Sequence, residues 1–201
     1  MTQRAPAIQE FLTSLENAFA HISLEPQAAA AIEKISGALR TPGAPGTRAA
    51  LRLPVCRYLD DALAAPRAAS GPMARLADAF AAVEPSFTWV VRSASGPFAS
   101  ANWPEGHANA MIVGPGGLED RSDLAIGVSL LAPHVRYPDH NHGPEEVYLV
   151  LSPGRFQHGD SDWFAPGIGG TRYNEPNIRH AMASDDVPLL ALWSLWMGKA
   201  A

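Results

Sequence analysis

The spacing of apolar residues changes character at Pro85, and that change bounds what the chain can fold into. Ahead of it the period is helical: Ile8, Phe11, Leu12, Leu15, Phe19 and Ile22 recur three and four apart, as one stripe of an amphipathic helix does. Pro26 suits the first turn of a second helix carrying Ile32, Ile35 and Leu39, which the run from Thr41 to Gly46 must end. A third helical stretch is expected over Val55 to Leu63. Ser70-Gly-Pro72 opens a fourth, with Met73, Leu76, Phe80 and Val83 on its inner face. Beyond Pro85, short β-prone runs are separated by Gly, Pro, Asn and Asp, the signature of an all-β sandwich or barrel. The predicted strands are Phe87 to Arg92, Ala110 to Val113, Leu124 to Leu131, Glu146 to Leu151, Gly154 to Gln157 and Leu189 to Trp196. The 18 prolines and 17 glycines are easier to place in many tight turns than in long elements.

The expectation is a mainly β chain with an N-terminal α-helical portion. Residues 1–85 form a helical extension packed on the barrel or on a partner subunit, and residues 86–201 form the barrel that carries the chemistry. The helical stripes need covering, which makes a homodimer through the helical portion one expected arrangement. A length of 201 residues with 47% hydrophobic content leaves no need for a second catalytic domain. The net charge is -5 and the basic residues are scattered, which argues against nucleic acid as a partner. Cys56 is the single cysteine; it forms no internal disulfide and sits among apolar residues, so a buried thiol is expected. No apolar run is long enough for a secretory signal or a bilayer span, so no membrane association and a cytoplasmic location are expected.

The chemistry-bearing residues concentrate in Tyr137-Pro-Asp-His140-Asn-His142-Gly-Pro-Glu-Glu146-Val-Tyr148. His140 and His142 are two apart, so an extended segment projects both rings to one side. Glu146 and Tyr148 share one face of the next strand, whose other face carries Val147, Leu149 and Leu151. His180 is expected on a separate, distant strand, after Pro176 has stiffened the approach. Three imidazoles and one carboxylate form a ligand set for a divalent transition metal, which would staple two distant segments. Such ligands suit zinc or iron, and also manganese, cobalt or nickel. His21, His107, His134 and His158 stay outside this set.

His140-x-His142-x3-Glu146 followed by Gly154 resembles the first cupin motif, and Pro176-x3-His180 resembles a shortened second one. Gly154 comes one residue later than the usual spacing. The second motif lacks its internal glycine, and its proline stands one residue closer to the histidine. The implied fold is a cupin double-stranded β-helix barrel over roughly residues 86–201. Within the cupins, the chain resembles the bacterial cupin-type dimethylsulfoniopropionate lyases in its length and in the helical portion ahead of the barrel. It also shares their two tyrosines, one three residues before the first histidine and one two residues after the glutamate. Tyr137 and Tyr148 occupy those places.

The resemblance implies a carbon–sulfur lyase that removes the proton next to the substrate carboxylate and expels dimethyl sulfide, leaving acrylate. A metal on that carboxylate stabilises the developing charge. Tyr148 is the first candidate for the base, because it shares a strand face with Glu146. Tyr137 is the second, or a group that orients the carboxylate. A sulfonium favours aromatic faces. The candidates to hold it come from Trp163, Phe164, Tyr173, Trp193 and Trp196, with Tyr137, Trp163, Tyr173 and Trp193 as the substrate-binding assignment. Trp163 and Tyr173 are assigned to a glycine-rich loop, Gly159 to Gly170, that would close over the site. Competing readings keep the metal but make the chain a cupin dioxygenase or isomerase on a small organic acid, or a non-catalytic metal or ligand sensor. Oxygen consumption would mark the dioxygenase. A cluster of basic residues would mark a sugar-phosphate isomerase, and a closed coordination sphere the sensor.

Overall fold

A computed structural model describes residues 4–93 and 96–198. Helices α1 (Pro6–Ala20), α2 (Pro26–Leu39) and α4 (Pro72–Val83) each begin on a proline, whose fixed φ suits a first turn and whose missing N–H would have no partner within the helix. The predicted third helix begins instead as a 3-10 turn, Pro54–Tyr58, and continues as α3 (Leu59–Ala68). Pro66 lies inside α3 without ending it, and it is buried. The stripes close on one another: Phe11 of α1 meets Phe80 of α4 edge-on, and Phe80 meets Phe87. Helices α2 and α3 lie against the sheet. Most of the inner stripe residues are thus buried within one chain, with Ile8, Ile22 and Met73 partly buried at the edges. Cys56 is buried among them, and burial pushes its thiol up. Among the described residues, no helix is long and apolar enough to cross a membrane.

The strands are β1 (Ala44–Pro45), β2 (Trp89–Val90), β3 (His107–Val113), β4 (Glu119–Asp120), β5 (Leu124–Leu131), β6 (Glu145–Val150), β7 (Arg155–His158), β8 (Thr171–Asn174), β9 (His180–Ala183) and β10 (Leu189–Trp196); a short helix, α5 (Trp103–Gly106), precedes β3. One sheet runs β1-β4-β3-β5-β10-β6-β8, with β2 also on β3, and β7 pairs with β9 in a second. Residues 134–140 run along the free side of β9: Tyr137 N–H donates to the Met182 carbonyl (2.8 Å), and His140 and His180 exchange both backbone bonds (3.0 and 2.9 Å). The two layers face each other as the β barrel expected from the sequence, with helices on the outer face of the larger sheet. This layering explains why all eight residues of β5 are buried: one face meets helices and the other lines the barrel.

The expected strands at Leu124 to Leu131 and Leu189 to Trp196 fall where the structure places β5 and β10. The β2 strand is shorter than expected, β1, β4 and β8 had no counterpart in the sequence reading, and β9 is the separate strand expected to carry His180, for which the sequence offered no bounds. His-Ala-Met-Ala, the whole of β9, has no β-branched or aromatic residue. Its extended form is imposed by neighbours on both sides.

Glu119 ties the start of the described chain to this framework. It accepts from Arg4 Nε (2.5 Å), the Gly43 N–H (2.8 Å) and Arg121 Nη1 (3.1 Å). Burial pushes its carboxyl up, but these donors and charges outweigh that and hold it below the ordinary range. A folded-state value below the unfolded one stabilises fully above the unfolded pKa and is lost as pH falls through the folded one. Glu119→Gln is expected to lower the unfolding free energy by about 3 kcal/mol at neutral pH. The gap should close in acid, and urea denaturation at pH 7 and pH 3 checks it. An equal loss at both would show that the charge is not the source.

Candidate metal centre

Strand parity brings Glu146 and Tyr148 of β6 to the barrel interior and sends Val147 and Leu149 outward, as the alternation in the sequence requires. Across the barrel, the antiparallel bridge between His140 and His180 sets their rings 4.1 Å apart between centroids, and His142 follows at 5.0 Å from His180. One ligand atom each from His142, Glu146 and His180 lies within 4.8 Å of the others, a group able to hold a metal ion. His140 is not a member of that group. Its ring lies beside His180 and 5.1 Å from the Tyr137 ring.

Hydrogen bonding fixes which nitrogen each ring offers. The Nδ1–H of His140, His142 and His180 points at the carbonyls of Pro138, Pro144 and Ile178, each at 2.9 Å. A neutral imidazole that donates from Nδ1 carries its lone pair on Nε2. His142 Nε2 and His180 Nε2 each stand 3.3 Å from the same Glu146 oxygen, Oε2, yet both are buried without a hydrogen-bond partner. Lone pairs facing a carboxylate oxygen at that distance repel unless a cation lies between them. A spacing of 3.3 Å is what two donors share around an ion that each approaches to about 2.1 Å in a tetrahedral set. The residues present therefore fit a divalent metal.

Electrostatics point the same way. Burial, then the charge of His180, pushes His140 down to about 3, so it stays neutral and available as a ligand. Burial also lowers His180, against the pull of Glu146. For His142 burial is outweighed by the Glu146 carboxylate, and the ring is raised. Glu146 is itself raised by burial, but the nearby His142 and His180 imidazoles overcome this and hold it below the usual carboxylate range. Asn174 Nδ2 donates to Glu146 Oε2 at 2.8 Å and His158 Nδ1 lies 3.1 Å from Asn174 Oδ1, which orients the carboxylate.

Beside this group lies a cavity of about 220 Å³, whose walls include both tyrosines, Trp193 and Arg92. Tyr148 is buried, and burial, then the Glu146 charge and Tyr137, raises its phenol well above the ordinary range. Trp193 stands directly across from Tyr148 on one side and Gly127 on the other. Its indole lies on Gly127, where a Cβ would meet the ring at 2.2 Å, so only glycine leaves room for it.

Two expected substrate contacts are not brought here. Tyr173 lies on β8 rather than in a loop, opposite Val147, and so faces outward; its hydroxyl donates to Glu145 on the outer surface (3.0 Å). Trp163 precedes Phe164, which pairs with Phe156 and turns inward, and alternation sends Trp163 the other way. Its ring sits beside the guanidinium groups of Arg136 and Arg155, with Arg136 and Arg155 also lining a separate cavity. The glycine-rich loop therefore does not carry these aromatics over the metal group.

Sequence reasoning missed Arg92, Asn109, Ser129 and Asn174. Asn109 and Ser129 were visible as lone polar residues within the apolar runs of β3 and β5, where a buried polar group calls for a partner. Arg92 gave no such signal. Its backbone N–H donates to His107 Nε2 (3.0 Å), while His107 bonds the Trp103 carbonyl through Nδ1 and stacks on the Trp103 ring at 4.2 Å.

Comparison with known proteins gives concordant matches. The family model for dimethylsulfoniopropionate lyase matches residues 27–191. A relative from Cereibacter sphaeroides, assigned as the dimethylsulfoniopropionate lyase DddL, is 30% identical over 92 residues, 46% of this chain and 39% of the relative. The chain thus spans well under half of that relative's length. Among solved structures, one described as that of the DMSP lyases RdDddP and RnDddQII aligns over 94% of this chain and 92% of its own, with a TM-score of 0.70 and 23% identity. The DMSP lyase DddQ from Ruegeria pomeroyi DSS-3 aligns over 96% and 92%, with a TM-score of 0.70 and 21% identity. At these identities the two structures show a shared fold.

Proposed function

This chain belongs to the dimethylsulfoniopropionate lyase family, and from that premise we propose that its barrel cleaves dimethylsulfoniopropionate to dimethyl sulfide and acrylate by metal-dependent β-elimination. Residues 86–201 carry the reaction, and residues 1–85 form the helical extension that braces the sheet. The observation that carries the reading is the pair of partnerless Nε2 atoms of His142 and His180 around one Glu146 oxygen, beside a small cavity walled by two phenols.

His142, Glu146 and His180 would hold the ion, with His140 as the fourth ligand. Zinc or iron suits this set, and manganese, cobalt or nickel would also serve. A divalent ion bound there takes up the Glu146 charge that otherwise raises the Tyr148 phenol, and draws electron density from the substrate carboxylate.

The chain's own residues supply the rest. Tyr148 Oη, as phenolate, takes the proton from the carbon next to the carboxylate. The electron pair released forms the carbon–carbon double bond as the bond to sulfur breaks, and dimethyl sulfide leaves with that bond's electrons. Acrylate remains, and the proton on Tyr148 returns to solvent. Tyr137 orients the carboxylate, and the face of Trp193 meets the sulfonium end. A cavity of about 220 Å³ matches a substrate of a few heavy atoms. The direct test is headspace detection of dimethyl sulfide after dimethylsulfoniopropionate is added to metal-loaded protein, under anaerobic conditions. Release without oxygen is expected. Absence of dimethyl sulfide at every metal loading would refute the reaction.

A further inference from the structure

The hydroxyl of Tyr137 ends a chain of side chains that crosses three strands of the barrel interior. Trp193 Nε1 donates to Ser129 Oγ (3.2 Å), Ser129 Oγ to Asn109 Oδ1 (2.7 Å) and Asn109 Nδ2 to Tyr137 Oη (3.1 Å). The direction of the chain is set at its far end. An indole N–H only donates, so Ser129 receives there and passes its own proton to Asn109, which leaves the amide NH2 turned toward Tyr137.

Reversing the amide would put two donors on Ser129 Oγ and break its 2.7 Å bond to Asn109 Oδ1, leaving the serine proton no acceptor among the described residues and only the cavity to face. Ser129 is 4% exposed, where an unmade hydrogen bond is costly. Tyr137 Oη therefore accepts from Asn109. Among the described residues no acceptor takes its own proton, and the hydroxyl borders the cavity. Arg92 lies at the same end, its guanidinium 5.8 Å from the centre of the Tyr137 ring and without a carboxylate partner among the described residues.

We infer that Asn109, Ser129 and the indole N–H of Trp193 are positioning residues that hold Tyr137 as a one-way hydrogen-bond donor to an oxygen of the bound carboxylate. A phenol free to turn either way would accept as readily as donate. Fixed as a donor beside a guanidinium, it selects the anionic end of the substrate and turns the sulfonium away. The inference rests on the proposed reading, in that a carboxylate substrate fills this cavity. It also gives Trp193 two roles, its face toward substrate and its N–H edge toward Ser129, the first link of the chain to Tyr137.

The test is a double-mutant cycle between Ser129→Ala and Tyr137→Phe, read in KM and kcat for dimethyl sulfide release and in the Kd of acrylate by fluorescence titration. Ser129 lies two links from Tyr137, and its removal adds no charge. Ser129→Ala is expected to weaken acrylate binding and raise KM by about tenfold with kcat little changed. In the Tyr137→Phe background it should have no further effect. Ser129→Thr, which restores the hydroxyl, should restore binding. Additive losses in the cycle, or unchanged binding in Ser129→Ala, would overturn the chain, and so would loss of the metal from that variant. If the wild type releases no dimethyl sulfide, the reaction is refuted while the acrylate cycle still judges the positioning role.

Discussion

Tyr148→Phe is expected to cut dimethyl sulfide release by about 10²- to 10⁴-fold while the bound metal is retained, the usual range for removing a positioned base. The phenol lies on the same strand face as Glu146, two residues on, and its ring packs 5.3 Å from Phe156. Phenylalanine keeps that packing and removes only the oxygen, so the fold and the ligand set should persist. Burial and the Glu146 charge raise the phenol well above its ordinary range, which makes the variant informative in a second way. Base function requires a cation beside Glu146 to reverse that push, so wild-type activity should depend on metal occupancy. Headspace measurement paired with metal analysis checks both. Full activity in Tyr148→Phe would remove it as the base and leave Tyr137 as the remaining phenol at the cavity.

His142→Ala should lose metal and turnover together, with affinity falling more than about a hundredfold, beyond what loss of a supporting partner alone produces. Its Nε2 has no hydrogen-bond partner and its Nδ1 is committed to the Pro144 carbonyl, so the ring has no structural bond toward the cavity to lose. Of the proposed set, Glu146, His180 and His140 then remain, and three ligands hold the ion less tightly than four. Protons should compete at the same place. The Glu146 carboxylate overcomes burial to raise His142, so metal affinity is expected to start falling, as pH drops, at a higher pH than for an ordinary imidazole. Calorimetric metal titrations at pH 8 and pH 6 would measure it. A His142→Ala variant that keeps its ion at wild-type affinity would contradict the ligand assignment.

The two variants separate the parts of the site. One keeps the ion and loses the base; the other loses the ion with the base still in place.

Much of this was legible in local pattern. Helix α2 starts and stops on signals in the sequence, Pro26 and the turn after Leu39, because capping chemistry acts within a few residues. The long strands β5 and β10 have runs of branched and aromatic residues that few other conformations would bury. The short strand β8 and the extent of β9 were not legible, since Thr-Arg-Tyr-Asn and His-Ala-Met-Ala gain their extended form only from the strands beside them. Tyr173 shows the consequence: placed in a loop, it was free to reach the substrate, whereas in a strand its parity sends it to the outer surface.

That Glu146 and Tyr148 share a face can be read without coordinates, because alternation along one strand is a local property of an extended backbone. So can the ligand types, because imidazole and carboxylate spacing is written in one segment plus a distant histidine. Three meetings required the folded chain: His180 joins Glu146 in the ligand group while His140 stands beside it, Trp193 lies on Gly127, and Asn109 and Ser129 link Trp193 to Tyr137. Those meetings depend on which strands become neighbours and in what register. Register is fixed by long-range pairing, and a shift of one residue would turn each of these side chains to the opposite face.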